Sequence, residues 1–109
     1  MNTQRETMGR LNSAVNLTSY NYLKILVKGG ASSASYGDTI FLGISTASNI
    51  TAPASLVSKA TIRSVDAETT VILNVSNYSG NYFIYFGNTQ ATTGYSGGYD
   101  LYQVFLTSS

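Results

Sequence analysis

At 109 residues the chain makes one domain, long enough to bury a core without disulfides or metal. It has no Cys and no His, six Lys and Arg against five Asp and Glu, and only 10% charged residues. This composition excludes a disulfide framework, a thiolate metal site and the usual imidazole general base, and it offers no basic patch for nucleic acid. No apolar run is long enough to span a membrane, and no hydrophobic signal-peptide core marks the N-terminus. Neither nucleic acid nor membrane is therefore expected as a partner, and synthesis in a cytoplasm is expected.

Met1–Ser13 differs from the rest of the chain. It carries Arg5, Glu6 and Arg10, and its only larger apolar side chains are Met1, Met8 and Leu11. Residues 1–15 are read as an arm that docks onto a neighbouring subunit, with Arg5, Met8, Arg10 and Leu11 as its contacts. Residues 16–109 are read as the folded domain. Tyr22–Lys28 alternates as a strand, with Leu23, Ile25 and Val27 on one face and Lys24 and Lys28 on the other. Gly29–Ser35 reads as a flexible loop of small residues. Thr39–Ser45 is the next strand, and Thr46–Ser55, with the only proline, Pro53, is a polar connection.

Leu56–Val65 alternates without a strongly apolar face, so an edge strand is expected, blunted against unwanted pairing by Lys59 and Arg63. Val71–Val75 and Tyr82–Phe86 flank the hinge Ser76–Asn81, which contains Gly80. Both faces of Tyr82–Phe86 are apolar, which places that strand centrally, covered on both sides. Asp100–Thr107 closes the chain, with Tyr102, Val104 and Leu106 expected to face one way. Six to eight strands and essentially no helix make an all-β, antiparallel β-sandwich, with a jelly roll as the leading topology.

Few residues carry chemistry. Asp66 and Glu68 lie two apart, but in a turn, where carboxylates are normally solvated. Asp38 and Asp100 adjoin Gly-rich stretches, yet no calcium-loop spacing surrounds them, and Asp beside strands usually forms turns. No serine has an imidazole or a nucleophile elbow to activate it. No catalytic residue, metal ligand or cofactor is assigned, and no enzyme is expected. Phe41, Phe83, Phe86 and Phe105 are read as core. Tyr36, Tyr95 and Tyr99 sit among Gly, Ser and Thr, where an exposed phenol offers a rigid apolar face and a hydroxyl. They are the candidate residues for carbohydrate or protein contact, against the alternative that they simply cover loop backbone.

Three stretches together resemble a known group. They are Asn16-Leu17-Thr18-Ser19-Tyr20-Asn21-Tyr22-Leu23-Lys24-Ile25, the centre Thr70–Ile84, and the closing strand Asp100–Leu106. This set is similar to the small β-sandwich modules of bacteriophage tail and other virion structural proteins. The resemblance implies a sandwich with Tyr20 packed at a corner and a tight turn at Ser79-Gly80-Asn81. It also implies a virion location, other capsid or tail proteins as partners, and a homo-oligomer such as a trimer. It hands over no catalytic residue. The expected function is a non-enzymatic virion structural protein, an accessory or decoration subunit on the particle exterior. The alternative is a host-adhesion module that binds cell-surface glycan through Tyr36, Tyr95 and Tyr99.

Overall fold

The computed structural model describes residues 6–92, 95 and 97–109. Eight strands follow in order: β1 (Glu6–Arg10), β2 (Val15–Asn16), β3 (Tyr22–Gly29), β4 (Thr39–Ser45), β5 (Ser58–Arg63), β6 (Glu68–Asn74), β7 (Asn81–Thr89) and β8 (Tyr99–Thr107). A short helix α1 (Ala31–Tyr36) and a 3-10 turn (Pro53–Ser55) interrupt them. One sheet runs β1-β7-β4-β5, with β2 also paired to β7; the other runs β6-β3-β8. Every pairing is antiparallel. The protein is an all-β sandwich.

Alternation places the core. Leu23, Ile25 and Val27 of β3, with Val71 and Leu73 of β6, face Ile40, Leu42 and Ile44 of β4 and Ile84 of β7. Each such side chain contributes about 2 kcal/mol over leaving it in water. β7 lies between β1 and β4. Ile84 and its neighbour Tyr85, which point to opposite faces, are both buried. The outer cover is the connection after β4: the Tyr85 hydroxyl donates to the Ala47 carbonyl (2.6 Å) and accepts from the Ile50 N–H (3.3 Å). The expected central strand is therefore central and covered on both sides. β5 is an edge strand with Lys59 and Arg63 on its exposed face.

Several local expectations change. Most of the loop expected over Gly29–Ser35 is taken up by α1, which runs on to Tyr36 and is too short to show a helical period in sequence. Gly37, at φ 80, ends it, its N–H bonded to the Ala34 carbonyl while the Asp38 N–H takes that of Ser33. The corner before β3 is filled by Leu17, fully buried, whereas Tyr20 stays partly exposed. Of the four phenylalanines only Phe41 is fully buried; Phe83, Phe86 and Phe105 are partly exposed. In β8 the pairing with β3 shifts register between Leu26 and Val27, so that Gln103 opposes Leu26 and Leu101 opposes Val27. The extra residue is Tyr102, and this bulge turns it to solvent, 52% exposed, instead of in line with Val104 and Leu106. The turn at Gly80 is as expected, with φ 92.

Residues 6–15, within the stretch read as an arm, are placed on the sandwich itself. β1 runs along β7 from Glu6 opposite Thr89 to Arg10 opposite Tyr85, and β2 continues along the same strand. β7 would otherwise leave a row of unpaired backbone groups at the sheet edge, and β1 satisfies them. Arg5 lies outside the described residues.

Candidate functional site

Two regions gather the residues singled out from sequence. The first lies at the end of the sandwich where α1 meets the β7–β8 connection. Tyr36, the last residue of α1, stacks on Tyr95 with ring centroids 4.1 Å apart and planes 17° from parallel. Tyr36 is 53% exposed and keeps one ring face toward solvent. Tyr99 does not join them. It opens β8 opposite Gly29, half-buried against the core, and burial raises its phenol above the ordinary range.

Beneath the stacked pair sits Asp38, which the sequence offered only as a turn former. Its side chain is fully buried. The Asn88 amide donates to one carboxylate oxygen (3.0 Å), and the Ala91 N–H (3.0 Å) and the Tyr95 hydroxyl donate to the other. Burial pushes the carboxyl up, but hydrogen bonds from Asn88, Tyr95, Ala91 and Ser33 outweigh it and hold the carboxyl below its usual range. Burial, then the hydrogen bond to Asp38 and its charge, raise the Tyr95 phenol. The Ser33 hydroxyl accepts from the Gly98 N–H (2.6 Å), and an Arg63 amino group donates to the Ala34 carbonyl (3.2 Å). The hub thus joins α1, the residue before β4, the end of β7, and Ala91, Tyr95 and Gly98 of the connection to β8. Its carboxylate is occupied by internal donors, and no group of three acidic, His or Cys side chains suited to a metal exists among the described residues.

The second region is the flank where β1, β2 and β8 lie. A cleft of about 270 Å3 opens between the sheets there, lined by Leu11, Val15, Tyr20, Leu23, Ile84 and the β8 run Val104–Leu106. Among the described residues β8 pairs only with β3, so its outer edge is bare. That edge is nine residues long, carries no Lys, Arg or Pro, and has Asp100 as its sole charge. Of the arm residues, Leu11 lines the cleft. Met8 is half-buried in β1, and Arg10 lies over the Phe83 ring, 4.6 Å from its centroid. The cleft residues of β8 escaped sequence reading because their alternation signals a strand, not whether that strand has a neighbour.

No family model, curated protein or solved structure matches this chain.

Proposed function

We propose that this chain is a non-enzymatic structural subunit of a bacteriophage particle, an accessory or decoration protein that assembles through the open flank of its sandwich. The virion setting rests on the resemblance of Asn16–Ile25, Thr70–Ile84 and Asp100–Leu106 to phage structural modules. The observation that carries assembly is the bare β8 edge beside an apolar cleft. Natural sheets guard such edges with charge or proline, as β5 is guarded here. The strand order supports a jelly roll short of one strand. Among the described residues one sheet has a path of four strands and the other three, the chain changes sheet at the connections β2–β3, β3–β4, β5–β6, β6–β7 and β7–β8, and the neighbour that the described residues do not supply belongs beside β8. A subunit left open on one side gains most by burying that side in an oligomer or against capsid or tail proteins.

Light scattering on the purified chain, followed by cosedimentation with particles stripped of it, tests this. A stable oligomer that rebinds in fixed ratio is expected. A monomer that ignores particles overturns it.

One observation favours a second reading, adhesion to host glycan. The exposed Tyr36 ring stacks on Tyr95, whose hydroxyl donates to Asp38. A preorganised aromatic face suits the apolar face of a sugar at low entropic cost. Tyr36→Ala removes that face without touching Asp38, so it should abolish pelleting with host cell walls and leave particle binding unchanged.

A further inference from the structure

We infer that β1 is an exchangeable strand, which leaves its own β7 and takes the same place on β7 of a second copy, drawing the open flanks of the two chains together. This rests on the assembly reading above and names its partner: another copy of this chain.

The slot and the strand are unequal. The slot demands a strand. On β7, Ile84, Tyr85, Gly87 and Asn88 are buried, and removing β1 would bare the backbone groups of that stretch. The strand itself is lightly held. From Thr7 to Asn16 no side chain is fully buried, Met8, Leu11 and Val15 being partly so, and the first fully buried one is Leu17. What holds β1 is its backbone ladder, continued by the Leu11 N–H on the Ile84 carbonyl (3.0 Å), a 3.5 Å bond from the Thr7 hydroxyl to the Asn88 carbonyl, half-buried Met8, Gly9 against the Phe86 ring, and Arg10 over Phe83. Segments of this kind open at low free-energy cost while the core stays folded. Asn12, Ser13 and Ala14, between β1 and β2, are exposed and free to extend as a hinge.

The occupant of the slot is set by the chain itself, because the same residues fill it within one copy, Glu6 against Thr89 through Arg10 against Tyr85. A contact made within one chain can be remade between two with no new chemistry, which is why exchange of an element is a low-cost route to dimers. The place of the hinge selects the geometry. Leu11 and Val15 flank it and line the cleft, so a β1 that crosses to a second copy crosses at the cleft, facing bare β8.

The chain has no cysteine, so engineered thiols report cleanly. Glu6→Cys in one preparation and Thr89→Cys in another place single thiols at opposed positions of the pairing. The two are refolded together from urea, oxidised and run without reductant. Exchange predicts a mixed disulfide dimer about tenfold above the dimer formed by either variant alone, since the exchanged strand holds the thiols at high effective concentration. The double variant in one chain checks that the two positions can close. Light scattering on the unmodified protein separates the outcomes. An oligomer without the mixed disulfide overturns exchange and leaves assembly standing. A monomer without it overturns both. A mixed disulfide in the dimer, absent after Met8→Pro breaks the β1 ladder, supports exchange.

Discussion

Asp38 shows how much one buried carboxylate can organise. Its donors come from two separate stretches of the chain, Ser33 in one and Asn88, Ala91 and Tyr95 in the other, and each gives up a hydrogen bond if the carboxylate is removed. Asp38→Asn replaces one acceptor oxygen with a donor and should cost about 2 kcal/mol in denaturant unfolding at neutral pH. The sign of its pH dependence is set by its lowered pKa. The contribution is present above about pH 4, where the unfolded carboxyl is also ionised, and is lost as pH falls through the lower folded value. Unfolding measured from neutral pH to strong acid should therefore show a weaker acid loss in the variant than in the parent. Nothing in Tyr36-Gly37-Asp38 as a sequence announced this hub, because its partners meet only once β4 and β7 are paired. Gly87 is a second such residue. A methyl group there would overlap the Thr7 carbonyl oxygen and stand 2.6 Å from the Phe41 ring. Gly87→Ala should destabilise by about 1–3 kcal/mol, and amide exchange should show protection of residues 7–10 lost before that of β3 and β4.

At the scale of elements, strands from Tyr22 to Thr107 were legible wherever alternation was undisturbed. β3 reads apolar at every second position and buries those positions. β5 reads as an edge and is one. β8 was misread on one face because a bulge inserts one residue without any mark in the sequence: strict alternation assigns Tyr102 to the side of Val104, whereas the register shift assigns Leu101. The two assignments differ in a measurable way. Tyr102→Ser should change stability by less than about 0.5 kcal/mol, as surface substitutions do, while Leu101→Ala should cost about 1–2 kcal/mol through lost contact with the core. A reversed order of these two effects would mean that Tyr102, not Leu101, faces the core and that β8 has no bulge there. α1 was invisible for a different reason. Six residues span less than two turns, only Ser33 of them is buried, and the element is specified by what surrounds it: Gly37 at its end and Asp38 beyond.

For the whole molecule the deciding asymmetry is between the two sides of the sandwich. On one side β5 and β6 close the sheets, with Lys59, Arg63 and Glu68 exposed along them. On the other, β1, β2 and β8 border an apolar cleft, and β8 presents nine residues of unguarded edge. If that flank is where copies meet, a charge placed in the cleft should act on association and leave the fold nearly intact. Val104→Lys makes the test. Val104 is only partly buried in the single chain, so a lysine there can extend its ammonium to water through the open cleft. In an assembled flank the same ammonium is trapped without a partner, at a cost of several kcal/mol. The expected result is a shift from oligomer to monomer in light scattering at micromolar concentration, with far-ultraviolet circular dichroism unchanged. Lys59→Ala, on the opposite side, should leave the oligomer as it is. If Val104→Lys remains fully associated while still folded, the subunits meet elsewhere, and the cleft is then a surface depression with no part in assembly.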